Sequence, residues 1–160
     1  MHTAIALLDL HERVHRNVQG LLAHCATLDA SELNRDLPGF GYPTVRLQLH
    51  HMIGAEEYWV GVLVGVVDPD DDDSAFPNVA ALEAWRARVS AATEAYLRSA
   101  STEALNTARP HATWGGRMRV FAPAHAILRT QTHHYQHQGQ VLAMCRLLGK
   151  PGGGLDFPLD

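Results

Sequence analysis

Lysine is almost missing from this chain. Of 13 basic residues, 12 are Arg and only Lys150 is Lys, while Asp and Glu together number 17, giving a formal net charge of -4 at pH 7. With that mildly acidic balance there is no basic face to neutralise phosphates, so a nucleic-acid partner is not expected. Cysteine is scarce too: Cys25 and Cys145 are far apart and form no CxxC pattern, which reads as two buried thiols in a reducing cytoplasm. The longest apolar run, Val60 to Val67, is under half of the roughly 20 residues a membrane span needs. The start, Met1-His2-Thr3-Ala4, lacks the basic and apolar stretches of a secretory signal. No GxSxG elbow, P-loop or dinucleotide fingerprint occurs, and Gly152-Gly153-Gly154 does not introduce a helix.

What the chain does have is length and histidine. Its 160 residues, 46% of them hydrophobic, suit one domain over 1–160, able to bury about 70% of its unfolded surface without metal or disulfide staples. Eleven histidines are far above ordinary usage. Imidazole binds metals and moves protons near neutral pH, so function is sought there.

Hydrophobic spacing predicts four long helices: about Thr3 to Ala26, Pro43 to Val64, Pro77-Asn78 to Ser99, and Pro123 to Leu148 with Gly149 as its cap. Asp68-Pro69-Asp70-Asp71-Asp72-Asp73 reads as a solvated loop, because it lacks the spacing of a calcium loop. Between the third and fourth helices, Ser101 to Ala122 is irregular, with two strand-like runs around Gly115-Gly116 suggesting a small hairpin. The expected fold is all-α, a four-helix bundle with a long, hairpin-containing connection between helices three and four. Such bundles build metal sites from facing helices.

Periodicity then sorts the histidines. His133 and His137 are four apart on the last helix and share a face, with Cβ atoms about 5–6 Å apart. The stripe through His51 runs Leu47, Ala55, Tyr58 and Val62, so His51 is expected to point inward. The stripe through His50 runs Arg46, Gly54, Glu57 and Gly61, so His50 is expected to face solvent. His134 is expected at the periphery beside Gln131 and Gln138, and His11 and His15, flanked by Glu12, Arg13 and Arg16, on a solvated face. His24, His111 and His125 have no evident partners; His125, in the opening turns of the last helix, is expected at the surface, with the rim of a pocket as the alternative. His51, His133 and His137 are therefore the candidate metal ligands. Three neutral imidazoles leave coordination positions open, as a reactive site requires. Gln140, Glu56 and Tyr58 are candidates for a supporting shell or pocket, and no catalytic residue is assigned.

The segments Gly41 to Trp59 and His133 to Gln140 resemble the DinB-like superfamily of damage-inducible, metal-binding four-helix bundles. The first is similar to the family's second-helix pattern of His, then Ala-Glu and an aromatic; the second is similar to its HxxxHxGQ signature. Gly154-Leu155-Asp156-Phe157-Pro158 also looks like a family-type tail. The resemblance implies a divalent metal, zinc or nickel, on the residues matching His51, His133 and His137, and a homodimer. Relatives of that kind include thiol transferases using bacillithiol or mycothiol, a thiol-dependent maleylpyruvate isomerase and metal-dependent hydrolases.

The leading expectation is a cytoplasmic, metal-dependent enzyme that transfers a low-molecular-weight thiol, as co-substrate, onto a small electrophile. Trp114, Arg117 and Arg119 are expected to rim its entrance, with Arg attracting a carboxylate. The alternatives are a hydrolase with Glu56 as base, or a non-catalytic metal-binding stress-response protein.

Overall fold

The computed structural model describes residues 1–67 and 72–159. The helices are α1 (Ala4–Cys25), α2 (Ala30–Leu33), α3 (Val45–Val64), α4 (Val79–Ser99), α5 (Thr102–Asn106) and α6 (Pro123–Leu147). The strands are β1 (Arg109–Ala112) and β2 (Met118–Phe121). The chain is thus mainly helical, as expected. Most of the acidic run, residues 68–71, lies outside the described residues; Asp73 at its end pairs with Arg46 at 2.6 Å.

Local chemistry sets the helix ends. Asn78 caps α4 by accepting from the Ala81 N–H, and Pro123 opens α6 where a missing N–H costs nothing. Gly149 follows α6 with φ 77°, the left-handed conformation that a Cβ disfavours. Two expectations need correction. Pro43 does not open α3: the Thr44 hydroxyl accepts from the Leu47 N–H, so Thr44 is the cap and the helix begins at Val45. The breaks after α1 and α4 each contain a short helix, α2 and α5, started by capping side chains of Asp29 and Ser101. The hairpin forms as expected. Arg109 pairs with Phe121 and Ala112 with Met118, and Gly115 and Gly116 both take positive φ in the turn.

The long helices each pack against two others: α3 against α4 and α6, and α1 against α4 and α6. Two apolar clusters result. One gathers Leu21, Leu49, Ile53, Trp85, Val141 and Met144; the other gathers Leu7, Leu63, Leu97, Leu105 and Ile127. Along every long helix a polar residue falls between the two: His11 on α1, Glu56 on α3, Thr93 on α4 and His134 on α6, all buried. The core is therefore divided by a polar layer. Cys25 and Cys145 are buried free thiols, hydrogen-bonded to each other. The tail packs back on α1 and α6, where Arg13 donates to the Pro158 carbonyl and Gln138 to that of Leu155. No helix among the described residues is long and apolar enough to cross a membrane.

Candidate metal centre

Helices α3 and α6 bring His51, His133 and His137 together. One nitrogen of each lies within 4.8 Å of the others, and the Nε2 atoms of His51 and His133 are 3.1 Å apart. His137 is buried, whereas His51 and His133 are half-buried at the wall of a cavity of about 580 Å³. Tyr42 stacks on the His51 ring at 4.0 Å, closing one side.

Two of the three imidazoles are pushed toward the neutral form a metal requires. Burial first, then repulsion from His137 and His51, pulls His133 down from 6.5 to about 3, with the Arg129 guanidinium contributing. Burial also lowers His137. Neutral imidazole is the ligating form. Behind the site, His137 Nδ1 is 2.8 Å from Gln48 Oε1, and Gln48 Nε2 donates to Gln140 Oε1 at 2.8 Å. An amide oxygen only accepts, so His137 donates through Nδ1–H and its Nε2 keeps the lone pair. An acceptor fixing the far nitrogen is the usual support of a metal-bound His. The residues thus fit a divalent ion.

Of the supporting candidates, Gln140 reaches His137 through Gln48. Tyr58 lines the cavity, and its hydroxyl accepts from the Trp114 N–H at 2.9 Å, tying the hairpin to α3. Trp114 lines the same cavity; Arg119 lines a neighbouring one of about 300 Å³ with His125; Arg117 lines neither. Glu56 sits elsewhere. It lies in the polar layer, where its carboxylate accepts from Thr93 Oγ1 at 2.6 Å, His134 Nε2 at 2.7 Å and His15 Nε2 at 2.9 Å.

Three expectations about histidine are therefore overturned. His11 and His15 are buried, because α4 covers their face of α1 and Glu56 reaches them from α3. His134 is buried rather than peripheral, because α6 is flanked by α1 as well as α3. His50 is buried under Trp85 and Phe76, with ring centroids 4.9 and 5.5 Å away. Gln131 and Gln138 are buried beside His134.

The inner layer has its own electrostatics. Burial alone would raise the Glu56 carboxyl, but electrostatic attraction to His15 and hydrogen bonds from His134 and His15 outweigh it and hold it well below its usual value. Arg86 Nη1 donates to His15 Nδ1 at 3.0 Å, so His15 donates through Nε2. His11 Nε2 faces the Ser90 carbonyl at 3.3 Å, while its Nδ1 lies 3.6 Å from Glu56 Oε1 and makes no hydrogen bond. Burial pulls His11 down from 6.5 to about 4, with His15 adding to the fall. Ligand atoms of His11, His15 and Glu56 also lie within 4.8 Å of one another, so by spacing this group too could hold an ion.

The sequence profile of the DinB superfamily matches residues 13–141, which span α3, most of α6 and all three cavity-side histidines. The chain belongs to the DinB superfamily. No curated protein matches the chain. Sequence reasoning missed Tyr42, Gln48 and Arg129 in this DinB centre. Gln48 is one turn before His51, and Arg129 one turn before His133, so helical spacing from the ligands would have found both.

Proposed function

We propose that the four long helices form a DinB-type four-helix bundle and that His51, His133 and His137 hold one divalent ion, zinc or nickel, for a thiol-transfer reaction. The observation that carries this reading is the convergence of His51 and His133 at 3.1 Å on a cavity wall, with His137 oriented from behind by Gln48. Between the two possible ion positions, hydrogen bonding favours the outer one. Glu56 already receives three donors in a closed layer, whereas His51 and His133 meet each other beside open space.

Bound there, the ion supplies Lewis acidity that keeps a thiol ionised near neutral pH. The protein supplies the rest. Neutral His133 keeps its lone pair across the physiological range, and Gln48 with Gln140 holds the His137 tautomer. Trp59, Tyr58 and Trp114 line the cavity for the apolar body of a substrate. The hydrolase alternative loses its proposed base, since Glu56 is spent in the polar layer. The buried, unoxidised Cys25 and Cys145 support a reducing cytoplasmic setting.

The test is turnover of an aryl halide electrophile by zinc- or nickel-loaded protein with and without cysteine as the thiol. Thiol-dependent turnover that disappears in His133→Ala is expected. Turnover without thiol, or thiol turnover unchanged in the variant, would overturn the transferase reading. Metal binding with no turnover would leave a metal-binding protein without this chemistry.

A further inference from the structure

Two arginines converge on one indole beside the histidines. Arg129 Cζ lies 5.4 Å from the Trp59 ring centroid, and Arg119 Cζ lies 5.9 Å from it. Trp59 and Arg129 line both the 580 Å³ cavity and the 300 Å³ one, and Arg119 lines the smaller. Both guanidinium-bearing residues are exposed, and neither makes an ion pair with a carboxylate among the described residues. Two like charges held near one ring, in a chain of net charge -4, are a local excess of positive potential. Arg129 also precedes His133 by four residues on α6, so its side chain starts one turn from the histidine site on the same face.

We infer that Arg129 and Arg119, laid against Trp59, bind the carboxylate of a small organic acid whose other end reaches the His51–His133–His137 site. The inference rests on the proposed function only for what happens at the histidine end. A planar guanidinium presents paired N–H donors that match the two oxygens of a carboxylate. The indole beside them partly desolvates the cations, which strengthens the pairing. The cavity beyond is walled by Trp59, Tyr58 and Trp114, surfaces suited to a flat apolar body. Glu57, the acidic residue on the same wall, is taken up by the Trp85 indole N–H at 3.0 Å, so its charge is turned toward α4. The site therefore selects for negative charge at one end and an apolar body next to it. An electrophile bearing a carboxylate, or a thiol bearing one, meets both demands.

Calorimetry and ¹⁵N-edited NMR of the full chain at low salt test this with benzoate, its neutral isostere benzamide, and inorganic phosphate. Benzoate is expected to bind at least tenfold tighter than benzamide and to shift the Trp59 indole N–H. Arg129→Ala should weaken benzoate by about tenfold and Arg119→Ala by a few-fold, whereas Arg129→Lys should recover part of the loss. Equal binding of benzoate and benzamide, or benzoate affinity unchanged in Arg129→Ala, would overturn the inference. Phosphate binding as tightly as benzoate would overturn the carboxylate as its ligand. Each titration is run on metal-free and on zinc-loaded protein. Loss of the zinc site with the benzoate pattern intact would sink the metal reading alone. Zinc binding with benzoate indifferent to both arginines would sink this inference alone.

Discussion

The molecule holds two histidine clusters less than one helical turn apart on α6, and they have opposite characters. His133 lines a cavity with His51, and buried His137 joins them from behind, while His134 turns into the polar layer with Glu56, His15 and His11. By ligand spacing the two groups look alike. What separates them is how each spends its hydrogen bonds. In the inner group the carboxylate is met by three donors, Arg86 braces His15, and all the members are buried, so the group closes on itself. In the outer group imidazole meets imidazole, and one support comes from behind through Gln48. The inner cluster is satisfied at its carboxylate, although His11 Nδ1 and His134 Nδ1 make no hydrogen bond, and such a buried network stabilises and specifies a fold. A cluster of imidazoles at a cavity wall is placed to take up a ligand.

The comparison breaks most visibly at Glu56. Glu56→Ala strips His15, His134 and Thr93 of their shared acceptor, and unpairing a buried charged network costs about 3–5 kcal/mol. Urea unfolding is expected to show that loss, with zinc still bound by the folded fraction. A stability change near zero would mean the inner layer is not the structural element described here.

Acid should strike the same layer. His11 falls from 6.5 in the unfolded chain to about 4 when folded, so between those values the unfolded state takes up the proton first. Stability from neutral His11 is thus complete above pH 6.5 and declines as pH drops to 4, by about 3 kcal/mol in all. Glu56 adds a further loss of the same sign, because its lowered folded value makes its contribution vanish as pH falls through that value. Thermal melts at pH 7 and pH 4.5 check this, and His11→Leu should flatten the profile across that window.

At the outer site, Gln48→Ala removes the brace on His137 and is expected to weaken zinc about 10–100-fold, as loss of a supporting partner does, while stability changes little. The smallest effect belongs to Tyr58→Phe. It deletes the acceptor for the Trp114 N–H, about 1 kcal/mol, and should appear as faster amide exchange in the hairpin with the metal site intact.

The contrast also marks where the sequence could be read and where it could not. The helix starts at Asn78 and Pro123, the stop at Gly149 and the turn at Gly115-Gly116 are local chemistry, and they were legible. So was the grouping of His51 with His133 and His137, although His50 lines the same cavity and is the more buried of the two. The inner layer was misjudged because His11 and His15 were weighed against their immediate neighbours Glu12, Arg13 and Arg16. Helical spacing gives another answer. Leu7, His11, Val14 and Val18 form one stripe, and His134 lies seven residues from both Ile127 and Val141. A histidine between apolar residues on a helix face belongs to the core when another helix supplies its acceptor. For His15 and His134 that acceptor is Glu56 on α3, for His11 it is the Ser90 carbonyl on α4, and no periodicity within α1 or α6 announces either. His50 failed for a different reason: Phe76 and Trp85 cover it from outside α3, and such a cover is a tertiary fact.

The central claim is that the outer histidines, and not the inner ones, hold the ion. Its most direct measurement is zinc content per chain by elemental analysis after reconstitution and desalting, for the unaltered protein, His133→Ala and His11→Gln, each shown to be helical by circular dichroism. The account predicts about one zinc per chain in the unaltered protein and in His11→Gln, and none in His133→Ala. Zinc retained by His133→Ala but lost from His11→Gln would contradict it, and would move the ion into the buried layer.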